Sequence, residues 1–461
     1  MSKTFRAWDV DQGWLLPPSV HEFVPAGHLA HFVRDTVREG LDLTAILATY
    51  NEERGYPPYH PGMMTALLLY GYSRGVYSSR RLAQACEERV DFMAVSGLNK
   101  PDFRTISEFR RRHLKALSEL FVQVLRLCQN AGLVKLGHVA VDGTKVAANA
   151  SRHKAMSYGR MKTVEPKLAA EVEAWLKAAE AQDQAEDAQF GTAKRGDETP
   201  AWMANKIERL ARIRAAKAQL EAEAKSDPAD LDPNGPGPSS GMQERGRRKK
   251  TPDAEPTDAE PADAEPTDAV PPDKAQRNFT DPDSRIQPTK GGFIAGYNGQ
   301  IAVDAAHQII VAQKLATNPA DFGALIPLVD QAKANLGRKL KEVSGDTGFA
   351  SEANLTAMAE RKVRAYLTPA RKKHHSDDDP GGGERTFKNS PQMAAMAAKL
   401  KRAGRRSRYR LRKGTVEPVF GQIKHARGFR QFLLRGLDKV TAEWAMICTA
   451  HNLLKLAQVA P

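Results

Sequence analysis

Between Ser226 and about Asp273 the chain cannot build a core. The tetrapeptide Asp-Ala-Glu-Pro recurs at 253, 258 and 263, proline returns every few residues, and large apolar side chains are scarce. Such a stretch buries too little apolar surface to offset the entropy of ordering it. Residues 226–277 therefore read as a disordered acidic linker, with a basic patch at Arg245–Lys250 ahead of the repeats. A solvated spacer is one role for it; an acidic mimic that masks a basic groove is another. Any sheet in this protein has to be assembled from segments on both sides of that tract.

Downstream, order returns near Asn278. Gln300–Asp304 and Gln308–Leu315 are β-rich runs joined by a tight turn, which predicts an antiparallel hairpin. A helix follows over 321–337 and ends at Gly337, then a short strand over 340–345 closing on Gly-Asp-Thr-Gly, a helix over 351–362 capped by Ser351, and a strand over 363–369. The loop 371–390 carries His374, His375 and Asp377 to Asp379; its glycines and polarity favour a solvated loop over a metal site. A last helix is predicted over 437–459. Upstream, the apolar run His138–Val141 reads as a strand that ends at Asp142-Gly143. Between it and the linker, 162–225 reads as two Ala/Glu/Lys-rich helices, a hairpin or coiled-coil arm. Strand, insertion, paired strands, then alternating helices and strands predict a mixed α/β sheet layered with helices.

Residues 1–134 read as helical. A helix over 60–75 starts near Pro61, a second over 78–97 would bury Leu82, Cys86, Val90 and Phe92, and a third over 105–132 would bury Phe109, Leu117, Phe121, Val124 and Leu125. The first two could form a helix-turn-helix with Arg80 and Arg81 leading the second, although any small bundle has such pairs. Arg110, Arg111 and Arg112 fit a solvated face or a phosphate contact.

The whole chain of 461 residues carries a formal charge of +14, with much of the acid confined to the linker. The remainder is more basic than the average, which points to a polyanion such as nucleic acid. Three scattered cysteines predict reduced core thiols and no zinc site, and neither an apolar signal core nor an eighteen-residue apolar run is present. The expectation is a cytoplasmic, nucleoid-associated protein with no membrane partner.

Residues 399–413 hold nine Lys or Arg in fifteen positions, and Glu417 follows as a lone acid. Val416, Phe420 and Ile423 would form a buried helical stripe, with Glu417, Gly421 and Lys424 beside it and Pro418 in the first turn. A salt-bridging surface glutamate is the plain reading. The alternative comes from two other acids, Asp142 and Asp346, each at the end of an apolar strand, where a carboxylate is costly unless paired or bound to metal. An Asp-Gly turn would also account for Asp142. Three carboxylates without His or Cys suit Mg²⁺ or Mn²⁺, and two such ions about 4 Å apart clamp the attacking and leaving oxygens of a phosphodiester.

The motifs VDGTKVAANAS (141–151), TDPDSR (280–285), GYNGQIAVD (296–304), SGDTGF (344–349) and GTVEPVFGQIKHARGF (414–429) resemble those of DDE transposases of bacterial insertion sequences. The resemblance covers most of the chain outside about 160–275. It implies an RNase H-like catalytic core (135–160 and 278–461) behind a helical, DNA-binding N-terminal domain (1–134), interrupted by a helical insertion (161–225) and the linker. It implies Asp142, Asp346 and Glu417 as catalytic, metal-binding acids with two Mg²⁺ or Mn²⁺ ions. Tyr409, Glu417 and Lys424 match a signature around the third acid. Lys413 stands where arginine is usual, with Arg412 beside it as a substitute. Tyr409, Arg412, Lys413, Lys424, Arg427, Arg80 and Arg81 are the expected DNA contacts. The partners implied are double-stranded DNA, as element ends and target, and a second copy of the chain, as a homodimer or larger assembly at synapsis. A plain nuclease of the same core and a catalytically inactive DNA-binding regulator are the alternatives.

Overall fold

The computed structural model describes residues 19–51, 57–190, 201–226, 270–289, 291–369 and 390–459. The acidic repeats and the His374–Asp379 segment lie outside them.

The N-terminal region is all helical: α1 (Leu29–Asp35), α2 (Thr44–Leu47), α3 (Pro61–Arg74), α4 (Ser79–Glu88), α5 (Val90–Ser96), α6 (Phe103–Arg112) and α7 (Leu114–Asn130). Pro61 occupies the first turn of α3 and Gly75, at φ +74°, ends it in the left-handed conformation. Two helices expected to be continuous are broken. Arg89 is extended between α4 and α5, and His113 leaves helical geometry between α6 and α7. Val90 is consequently exposed, while Leu82, Cys86 and Phe92 are buried as expected. Arg110 departs from the solvated face assigned to it. It is buried and donates to the Tyr72 hydroxyl, the Tyr77 carbonyl and Ser79 Oγ, so it ties α3, α4 and α6 together.

The main sheet has six strands: β1 (Val139–Ala147), β4 (Arg285–Thr289), β5 (Gly292–Asp304), β6 (Ile310–Ala316), β7 (Glu342–Gly345) and β8 (Arg364–Leu367), with a separate pair, β2 (Ala155–Ser157) and β3 (Gln276–Asn278), between β1 and β4 in the chain. The order is β4-β5-β1-β7-β8, and β6 pairs with β5 beyond its contact with β4. The β5–β6 hairpin is antiparallel, as two β-rich runs joined by a tight turn predict. β1 runs antiparallel to β5 and parallel to β7. The expected end of β1 at Asp142 is corrected: the strand continues to Ala147 because β5 starts early enough to pair with it down to Gly296.

Helices α10 (Leu325–Leu336), α11 (Glu352–Glu360), α12 (Pro391–Ala403), α13 (Leu411–Gly421) and α14 (Leu437–Ala457) cover the sheet, giving the mixed, helix-flanked RNase H-like architecture. One apolar cluster runs from Val24 to Leu456, so the N-terminal helices and the sheet share a core. Phe429 shows how they join: its ring lies 5.4 Å from Tyr72 and 4.3 Å from Tyr77. The insertion, α8 (Tyr158–Phe190) and α9 (Ala201–Ser226), has a separate small core that includes Met161, Leu168, Ile213 and Leu220.

α13 begins six residues before Glu417, so the acid is mid-helix and Pro418 is interior, contrary to the expected helix start. An interior proline removes one helical N–H and leaves the carbonyl four residues back without its bond. That carbonyl belongs to Gly414, and Gln308 Nε2 donates to it across 3.0 Å. The turn after β5 thus supplies the bond that Pro418 removes.

Candidate active site

β1 and β7 pair at Ala140–Ser344. Asp142 lies two residues further along β1, and Asp346 two residues further along the chain, just past the end of the parallel β7. Asp142 is inside β1; Asp346 follows β7 and turns back to accept from the Gly348 amide at 2.9 Å. The third acid comes from α13, whose buried Val416, Val419 and the following Ile423 press it onto the core.

Arg412 joins the first and third acids. Its Nη1 lies 2.5 Å from Asp142 Oδ2 and its Nη2 3.8 Å from Glu417 Oε1, and it also bonds to the Tyr409 hydroxyl. Burial alone would lower the Arg412 guanidinium, but Asp142, Tyr409 and Asp346 outweigh it and hold it above its ordinary value. Burial pushes the Asp142 carboxyl up to about 6; Arg412 and the Gly143 amide oppose the rise, while Asp346 and a further acid, Asp321, add to it. Burial is thus the largest influence on Asp142, ahead of its arginine.

Lys145 brings a second cation to the same place. Its ammonium donates to the Pro319 carbonyl; burial lowers its pKa against the opposing pull of Asp321, Asp346 and Asp142. Among the described residues, no group of three or more His, Cys, Asp or Glu is arranged to hold a metal ion with the side chains as they stand. Glu417 is half exposed and engaged with Arg412.

The expected DNA contacts divide. Lys413, Arg80 and Arg81 are exposed, the last two on the first turn of α4, where Arg80 lies over the Phe103 ring. Tyr409 and Arg412 belong to the acid cluster. Lys424 is half-buried and its ammonium bonds Thr144 Oγ1 (2.9 Å) and the Lys145 carbonyl (2.7 Å), fastening the end of the α13 segment to β1. Arg427 corrects the expectation outright. It is buried, donates to the carbonyls of Gln422 and Ile447, and burial lowers its pKa to about 10, so it faces the core and not a nucleic acid. Asp321 escaped the sequence reading because an aspartate before a helix looks like a cap.

Two family models match the chain. One, described as Transposase domain (DUF772), spans residues 18–112, and the other, described as Transposase DDE domain, spans residues 258–453. Asp346 and Glu417 lie within the second range, Arg80 and Arg81 within the first, and Asp142 outside both. No curated protein and no solved structure matches. With a transposase domain over its helical start and a DDE domain over every strand of the main sheet but β1, the chain belongs to the DDE transposases of insertion sequences.

Proposed function

We propose that this DNA transposase binds the terminal inverted repeats of its element, cleaves phosphodiester bonds there, and joins the resulting 3′-hydroxyl ends to target DNA, with Asp142, Asp346 and Glu417 as its catalytic acids. The observation that carries the reading is Asp142 on β1 and Asp346 just past the adjacent, parallel β7, with Arg412 linking Asp142 to the Glu417 helix. The donor chemistry suits Mg²⁺ or Mn²⁺, because every candidate ligand is a hard carboxylate oxygen, and the acids would have to draw together from where they stand to hold one. The three acids would hold two ions, which supply an activated nucleophile and stabilise the departing oxygen.

The chain's own residues do the rest. Arg412 occupies Asp142 and Glu417 while they are unliganded and is placed to move onto a phosphate when they are engaged. Exposed Lys413 beside it extends the positive surface along the backbone of the DNA. In this reading residues 1–134 bind DNA, 135–160 and 278–461 form the catalytic core, 161–225 are an inserted helical arm, and 226–277 a linker. The transposase works as a homodimer or larger assembly at synapsis, in the cytoplasm on the nucleoid. None of the described helices is long and apolar enough to cross a membrane.

The test is cleavage of DNA carrying the element's own ends by purified protein and by Asp346→Ala, with and without Mg²⁺. Metal-dependent nicks at the element ends, absent from the variant while end binding persists, are expected. Cleavage that survives the substitution refutes the assignment. Binding without cleavage by the unaltered protein favours the inactive regulator.

A further inference from the structure

Asp321 has a structural role at first sight, since it directly precedes the short helical turn Phe322–Ala324. Its side chain makes no capping hydrogen bond. Instead Oδ1 accepts two amide donors from β5, Asn298 Nδ2 at 2.6 Å and Gln300 Nε2 at 2.8 Å. These residues are two apart on one strand and point to the same face. Both are fully buried, and both leave their amide oxygens, Asn298 Oδ1 and Gln300 Oε1, without a hydrogen-bond donor. An unpaired buried acceptor costs about 1–3 kcal/mol, so the two amides are oriented by the carboxylate that takes their N–H groups, at the expense of their own oxygens.

The register places the two amides against β1: Gln300 pairs with Gly143, the residue after Asp142, and Asn298 with Lys145. A Cβ on Gly143 would stand 2.5 Å from Asp321 Oδ1 and 2.9 Å from Asn298 Oδ1. Only glycine lets the two oxygens lie against β1 at that point. On the far side, a Cβ on Gly348 would stand 3.1 Å from Asp346 Oδ1 and 3.4 Å from Asp321 Oδ2. Asp321 therefore reaches from Gly143, the residue after Asp142, to the Asp346 turn, with Oδ1 tied down and Oδ2 on Asp346's side. Its charge acts on Asp142 and on Lys145 alike.

We propose that Asp321 is a fourth carboxylate of the divalent-cation site, presenting Oδ2 on the side of Asp346, and that Asn298 and Gln300 are positioning residues that hold its other oxygen. The inference rests on the catalytic reading above and adds a ligand that the three-acid motif lacks. It also gives both glycines a purpose, since each leaves room for the same carboxylate.

The test is Mn²⁺ binding without DNA, followed by the loss of the free-ion electron paramagnetic resonance signal, for the full chain and for Asp321→Asn and Asp346→Asn, each checked for an unchanged melting transition. Loss of a group that orients or joins a metal site weakens binding about 10–100-fold. Both variants are expected to fall in that range. Weakening by Asp346→Asn with unchanged binding by Asp321→Asn overturns the role of Asp321 alone. Unchanged binding in both overturns the cation site itself. If Asp321→Asn does not fold, Asn298→Leu, close in shape and lacking both the donor and the free oxygen, must also weaken Mn²⁺; unchanged binding there overturns the proposal equally.

Discussion

Acidification should loosen the helix that carries Glu417, and the magnitude follows from His451. This residue is fully buried in α14, and its Nε2 donates to the Gln308 carbonyl at 2.9 Å. Burial, helped by Arg427 and Lys455, drives its pKa down to about 3 against the hydrogen bond to Gln308. The folded imidazole thus binds fewer protons than the unfolded one, which titrates near 6.5. Its contribution to stability is complete above 6.5 and is lost as pH falls, at about 1.4 kcal/mol per pH unit until the folded value is reached. At pH 5 the loss is about 2 kcal/mol. Gln308 is the same residue whose side chain bonds the Gly414 carbonyl, so the strain falls on the turn that supports α13. Urea unfolding followed by the fluorescence of buried Trp444 measures the effect. Between pH 7.5 and 5.0, His451→Gln should gain about 2 kcal/mol relative to the unaltered protein. A difference that stays constant with pH would refute the argument.

Other perturbations follow from individual contacts. Gly143→Ala places a methyl group 2.5 Å from Asp321 Oδ1; overpacking of about 1–3 kcal/mol should appear as a lower melting temperature together with weaker Mn²⁺ binding. Glu443, buried in α14, accepts from the Leu433 and Leu434 amides, and Glu443→Ala should cost about 2–5 kcal/mol in chemical denaturation by stranding both. Gln308→Ala should cost about 1 kcal/mol, and less in a Pro418→Ala background, where residue 418 regains the N–H that can satisfy Gly414; a double-mutant cycle of unfolding free energies measures the coupling.

The elements were legible where a local pattern decided them. The β5–β6 hairpin, the glycine stop after α10 and the strands leading to Asp142 and Asp346 follow from β-rich runs around a tight turn, capping and apolar runs that need no distant partner. What could not be read depended on residues far away in the chain. Pro418 looks like a helix start until Gln308, 110 residues earlier, is seen to satisfy the carbonyl it frees. β1 outruns its apolar stretch because β5, beyond the linker, pairs with it through Ala147. Arg110 and Arg427 resemble surface cations, yet hydroxyls and main-chain carbonyls from other elements make their burial tolerable. In the acid cluster, Asp142, Asp346 and Glu417 stood out by contrast with apolar or basic neighbours. Asp321 did not, since its amide partners lie on another strand.

The central claim is that Asp142, Asp346 and Glu417 act together on DNA, and strand transfer reads it most directly. Pre-cut element ends bearing 3′-hydroxyls, incubated with a supercoiled plasmid and Mg²⁺, bypass the first cleavage and leave only the joining step. The unaltered protein should join the ends to the plasmid, while Asp142→Asn, Asp346→Asn and Glu417→Gln each bind the ends and join none. Joining that persists in Glu417→Gln would contradict the account, because it would leave the α13 acid as no more than the exposed partner of Arg412.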